Sequence, residues 1–206
     1  MKVLLLLNWG LGYEILKVFH KLPGVFIIMV VTRHNKDKAN TCKWENIVYN
    51  FSKKHGYKTI DQERISFEDL KQIIDKNKID LLVSHAYMKI IPKKVFMAPK
   101  LGSINIHASL LPKYRGPSPV YWLLKNKDKT TGLTCHFIDE GVDKGDIIFQ
   151  KAINVEPDDN IDSIIERQKI IVEDLIVESM TRVQDPDFCA IKQSDDLATY
   201  APRPIL

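Results

Sequence analysis

Short apolar runs closed by turn residues alternate with stretches of helical periodicity through the first two-thirds of this 206-residue chain, and that alternation limits the fold most. A strand, a helix and a second parallel strand make a βα unit, and a series of such units builds a mostly parallel sheet with helices on its faces. Strands are expected at residues 3–7, 25–32, 80–85, 102–106, 133–138 and 147–153. Gly10 and Gly12 make a loop before a helix starting near Tyr13, and a second helix is expected over 44–55. Ser66-Phe67-Glu68-Asp69 caps a third that runs to about Asn77, and Pro92 opens a short fourth. Residues 119–126 form a fifth. Residues 161–182, apolar at 161, 164, 165, 171, 172, 175 and 176, form a long amphipathic sixth. The expected class is α/β, one domain over 1–190 with a short C-terminal tail over 191–206.

An apolar content of 45% suffices for a core without staples or metals. Cys42, Cys135 and Cys189, odd in number and widely spaced, give neither a disulfide framework nor a metal-ligand pattern, which fits a reducing cytoplasm. The opening M-K-V-L-L-L-L ends at Asn8 with no small-residue cleavage site behind it, so it reads as a buried first strand. No run approaches the roughly 20 apolar residues of a membrane span. The net charge of +4 is mild and the lysines are spread over 36–100, so nucleic-acid binding by bulk charge is not expected.

The chemistry concentrates in two segments. In the strand S-I-N-I-H, residues two apart point to one side, so Asn105 and His107 project together. Asp143 lies in the Gly-flanked loop D-E-G-V-D-K-G-D after the strand L-T-C-H-F-I, with Asp139 and Asp146 as local competitors. Ligands of open α/β sheets settle outside the carboxyl ends of the strands, where Asn8, His85, Asn105 and Asp139 all fall. An amide, an imidazole and a carboxylate can there surround a carbonyl under attack.

The segment N-I-H-A-S-L-L-P-K-Y-R-G with the later G-V-D-K-G-D resembles the signature of the formyltransferases that use 10-formyltetrahydrofolate, a family of glycinamide ribonucleotide, methionyl-tRNA and amino-sugar enzymes. A weaker likeness runs from the N-terminus to about Gln150 and returns in A-T-Y-A-P-R-P. The resemblance implies a Rossmann-like formyltransferase fold, a folate co-substrate and no metal. Its spacing selects Asp143 as the catalytic acid. It assigns the folate pocket to the loop after His85 and the loop before the acid: Met88, Ile90, Ile91, Asp139, Glu140 and Val142.

Formyl transfer needs an uncharged amine, support for a developing oxyanion, and removal of a proton from the attacking nitrogen. Asn105 can donate an amide N–H to the oxyanion, and His107 can donate to the same oxygen. Asp143 can hold His107 charged and accept the amine proton. His136 reads as a supporting residue, Tyr121 and Trp122 as core, and Pro112 as a candidate cis proline at the exit of S-L-L-P. Asn8-Trp9-Gly10-Leu11-Gly12 occupies the position of a phosphate loop, which makes Trp9 and Gly10 candidates for binding the acceptor. That loop lacks the serine-asparagine ending of the glycinamide ribonucleotide enzymes. Arg115 offers a forked cation for a phosphate or carboxylate, or else braces its loop.

R-G-P-S-P-V-Y-W with T-G-L-T-C-H-F-I-D-E-G-V-D-K-G-D-I resembles the methionyl-tRNA and amino-sugar branches more than the purine branch. Methionyl-tRNA enzymes carry a further C-terminal domain, and this chain stops at Leu206. The expected acceptor is therefore the primary amine of a nucleotide-linked amino sugar, in a cytoplasmic enzyme that can be a homodimer. Glycinamide ribonucleotide and methionyl-tRNA are the alternatives within the family. A hydrolase releasing formate from the same donor and a non-catalytic scaffold are the alternatives outside it.

Overall fold

The computed structural model describes residues 1–34 and 46–204. Cys42, Lys36 and the expected start of the second helix at Trp44 lie outside them. The chain divides into two compact units, Met1–Ile104 and Asn105–Leu206.

In the first unit, β1 (Lys2–Leu7), β2 (Phe26–Thr32), β3 (Thr59–Asp61) and β4 (Leu81–His85) run parallel in the order β3-β2-β1-β4. Helices α1 (Trp9–Lys21), α2 (Ile47–Lys54) and α3 (Phe67–Asn77) connect them, and α4 (Lys93–Phe96) follows β4. Val3, Leu4, Leu5, Leu6 and Leu7 are all fully buried, because a central parallel strand is covered on both faces and so carries an unbroken apolar run. Helix α3 has the expected cap: Ser66 Oγ accepts from Asp69 N–H, and Asp69 accepts from Ser66 N–H.

Helix α1 starts at Trp9, four residues before the expected point, and takes in both glycines. A β-carbon on Gly12 would sit 3.4 Å from Leu7, in contact with the end of β1. The three-residue β3 was not expected; it is too short for an alternating pattern to register.

In the second unit, β5 (Ser103–His107, its first two residues belonging to the first unit), β6 (Thr130–Phe137) and β7 (Ile147–Asn154) follow in that order. β6 and β7 pair antiparallel, so the class is α/β with a mostly parallel sheet and helices on its faces. Helix α5 (Pro119–Lys125) begins with proline, and α6 (Ile161–Gln184) buries Ile164, Val172, Leu175, Ile176 and Met180. Two polar residues share that buried face: Gln168 donates to the carbonyl of Gly132, and Ser179 to that of Leu175. Ile161, expected on the apolar face, is 44% exposed in the first turn. Residues 191–201 pair with the unit, Ile191 with Ile147 and Tyr200 with Arg115. Among the described residues no helix is long and apolar enough to cross a membrane.

Candidate active site

Asn105 and His107 leave β5 on one side, and the turn after β6 brings Asp143 to them. Asn105 Nδ2 donates to Asp143 Oδ1 at 3.3 Å, and His107 Nδ1 stands 3.5 Å from Asp143 Oδ2. The three residues singled out by spacing therefore converge within the second unit.

A fourth residue joins them. His136 Nε2 lies 3.5 Å from Asp143 Oδ1 and 3.2 Å from Asn105 Nδ2. Its Nδ1 faces the Phe137 carbonyl at 2.7 Å, and since a carbonyl only accepts, Nδ1 carries the proton that fixes the ring's orientation. The remaining oxygen of Asp143 accepts from the Gly116 N–H at 2.8 Å.

Asp143 is only 14% exposed in its side chain. Burial pushes its carboxyl upward, but His107, His136 and the Gly116 N–H outweigh that and hold it well below the usual carboxylate range. Asp143 sits at φ 52°, in the left-handed region that a β-carbon disfavours. Strained backbone of this kind persists where the surroundings over-determine it. Gly145 tightens the same turn: a β-carbon there would lie 1.8 Å from the Phe137 carbonyl oxygen.

His107 is held from both sides. Its Nε2 donates to the Tyr114 carbonyl at 2.8 Å while Nδ1 faces Asp143 Oδ2 at 3.5 Å. Both ring nitrogens are thereby engaged with protein oxygens. The segment between His107 and Gly116 is anchored to β6 and β7. Thr134 Oγ1 donates to the Ser109 carbonyl, and Gln150 Nε2 donates to the Leu111 carbonyl at 2.8 Å. The Leu111–Pro112 bond is cis, as the sequence allowed.

Arg115 is 5% exposed, with Nε and Nη2 donating to Gln193 Oε1 and Nη1 to Asp195 Oδ1. The guanidinium thus performs the loop-bracing role. Gln193 carried no signal in the sequence, being a lone amide outside any periodic segment. Asp139 accepts from the Gly141 N–H at 2.9 Å, and Val142 is exposed. Burial pushes the Cys135 thiol up to about 12, which disqualifies it as a nucleophile.

In the first unit, Asn8 is buried and bonded on every side. Its amide donates to Gln62 and the Ala86 carbonyl, and its oxygen accepts from Thr32 Oγ1 and Arg33 N–H. That network ties together the carboxyl ends of β1, β2 and β4. Trp9 (φ 63°) follows, with the Arg33 guanidinium 5.4 Å from its ring centroid, and Gly10 is buried. Met88 and Ile90 are exposed in the loop after β4, whereas Ile91 is buried in the core. Among the described residues no group of three or more His, Cys, Asp or Glu side chains is arranged to hold a metal ion.

A family model described as formyl transferase matches residues 15–180. The methionyl-tRNA formyltransferase of Caldanaerobacter subterraneus subsp. tengcongensis is 32% identical over 182 residues, 87% of this chain and 59% of that protein. That of Halothermothrix orenii is 33% identical over 187 residues, 90% of this chain and 59% of that protein. The chain spans less than two-thirds of the length of these relatives. Among solved structures, the phosphoribosylglycinamide formyltransferase of Anaplasma phagocytophilum superposes with a TM-score of 0.76 at 22% identity, covering 99% of both chains. The N-formyltransferase of Helicobacter canadensis, in complex with folinic acid and dTDP-3-aminofucose, gives 0.74 at 22% identity over 98% of this chain and 71% of that one. By the extent of the family match and the identity of these relatives, this chain belongs to the formyl transferase family.

Proposed function

We propose that the chain is an N-formyltransferase that moves the formyl group of 10-formyltetrahydrofolate directly to a primary amine. The observation that carries this reading is the approach of Asn105, His107 and His136 to one buried, ionised carboxylate, all within 3.5 Å.

The uncharged amine attacks the formyl carbon, and the carbonyl oxygen becomes an oxyanion. Asn105 Nδ2 turns from Asp143 to donate to that oxygen; a preorganised donor of this kind is worth about 3 kcal/mol. His107 keeps its place between the Tyr114 carbonyl and Asp143, where it holds the carboxylate charged. Asp143 takes the proton released by the amine nitrogen. The carbonyl then re-forms as the bond from carbon to the folate nitrogen breaks, Asp143 passes the proton it took to that leaving nitrogen, and tetrahydrofolate departs beside the N-formylated acceptor. Donor contacts are proposed at Met88, Ile90, Asp139, Glu140 and Val142 on the resemblance of their loops, whereas Ile91, buried in the core, would support its loop from beneath. Acceptor contacts are proposed at Trp9 and Gly10 on the same ground.

The proposed acceptor is a nucleotide-linked amino sugar: the R-G-P-S-P-V-Y-W segment favours it over glycinamide ribonucleotide, though not over methionyl-tRNA, and the charge of only +4 favours it over a nucleic acid. A second reading, methionyl-tRNA, is favoured by relatives at 32% and 33% identity that bear that name. Purified protein with 10-formyltetrahydrofolate, challenged in turn with a dTDP-linked 3-amino sugar, glycinamide ribonucleotide and methionyl-tRNA, separates them. Amine-dependent tetrahydrofolate formation supports transfer, and formate release at one rate with every amine or none overturns it.

A further inference from the structure

Gln193 lies in the segment after α6, fifty residues from Asp143 in sequence, and yet it is buried and matched on both sides of its amide. Its Nε2 donates to the main-chain carbonyl of Asp143 at 2.9 Å and to that of Gly145 at 2.7 Å. Its Oε1 accepts from Arg115 Nε at 3.1 Å and Nη2 at 2.9 Å. Arg115 is fixed in turn: its N–H donates to the Thr199 carbonyl, and its own carbonyl accepts from Ala201 N–H. Ile191 exchanges two 2.8 Å bonds with Ile147, which anchors the other end of the segment.

We propose that Gln193, oriented by Arg115, is a positioning residue for Asp143. The reading rests on the formyl-transfer assignment above. One amide joins the main chain of the acid turn to the loop whose next residue, Gly116, supplies the N–H on the Asp143 carboxylate. Gly145 offers a buried carbonyl and Asp143 a partly buried one, in a turn that takes φ 52° at a non-glycine residue. An amide has two donors and one oxygen with two lone pairs, and here each finds a partner, a match that no other side chain of this size provides. Removing the two donors leaves two carbonyls unsatisfied and frees the turn to relax, which swings the carboxylate away from Asn105 and His107. An error of about 1 Å in such a group is enough to cost about a hundredfold in rate.

Gln193→Glu keeps the oxygens that face Arg115 and removes both donors, and Gln193→Met keeps the side-chain length and removes donors and acceptor alike. The two share only the loss of the N–H groups. Both should lower kcat by about tenfold to a hundredfold, by more than any fall in melting temperature explains and at a temperature where both variants are fully folded, with KM for the donor and for the acceptor held within about twofold. Turnover of both variants at the unsubstituted rate would overturn the inference. So would a rise in KM at constant kcat, or a rate loss that only tracks a fall in melting temperature, since either describes packing. The unsubstituted protein is assayed first with the three acceptors; absence of transfer there defeats the formyl-transfer reading and this one with it, whereas transfer with unaffected variants defeats only this one.

Discussion

The Asp143 carboxylate is surrounded by two imidazoles, an amide and a main-chain N–H, and each neighbour stabilises its charged form. A group whose folded pKa is depressed contributes stability that is present above its unfolded value, near about 4, and is lost only as pH falls through the folded value. Asp143 is therefore ionised throughout the range in which the protein would be assayed. The acid limb of a rate profile should then come from the acceptor amine and move when the acceptor is changed. A limb fixed near pH 4 for every acceptor would contradict this. Asp143→Asn removes the proton acceptor while keeping the shape, and transfer should fall about a hundredfold to ten-thousandfold with donor affinity, measured by fluorescence or calorimetry, nearly intact. Asn105→Ala should cost about a hundredfold to a thousandfold in kcat, as loss of one oxyanion donor does. Near-normal turnover in either variant would remove that residue from the mechanism. Asn105 and His107 were legible in the sequence because a period of two puts them on one side of a strand. The role of His107 was less so: its Nε2 is bound to the Tyr114 carbonyl, and nothing in the order of residues reveals that partner. His136 sits with Thr134 in a strand buried on both faces, so burial alone could not say which face would meet the acid turn.

Local geometry in the elements accounts for how the acid turn is held. Gly145→Ala would bring a β-carbon into the Phe137 carbonyl, a clash with backbone that no rotamer change relieves. It should destabilise by about 1–3 kcal/mol in chemical denaturation and depress transfer further than the stability loss explains. Helix α6 is capped by Asn160, whose side chain accepts from Ser163 N–H while Ser163 Oγ accepts from Asn160 N–H. Asn160→Ala should cost about 1 kcal/mol with no change in kcat, and a kcat change would show that α6 does more than pack on the sheet. The strands and capped helices were readable because periodicity and capping chemistry are local. The early start of α1 was not: two glycines read as a loop, yet both lie in the first turns of the helix.

At the scale of the whole molecule, the order of elements followed from the alternation of strand and helix, and the family from two short segments. What lay beyond sequence was long-range: Gln193 and Arg115 meet across 78 positions, and no periodic pattern connects them. In the reading proposed above, the choice of acceptor rests with loops such as Asn8-Trp9-Gly10 and not with the sheet that carries them. The central claim is that one carboxylate, two imidazoles and an amide move a formyl group from folate to nitrogen. Isotope-labelled 10-formyltetrahydrofolate, incubated with the protein and each acceptor in turn and followed by mass spectrometry, tests it most directly. The label should appear on the nitrogen of one acceptor and vanish from that product with Asp143→Asn; label found only in free formate, or left in the donor with all three amines, would contradict it.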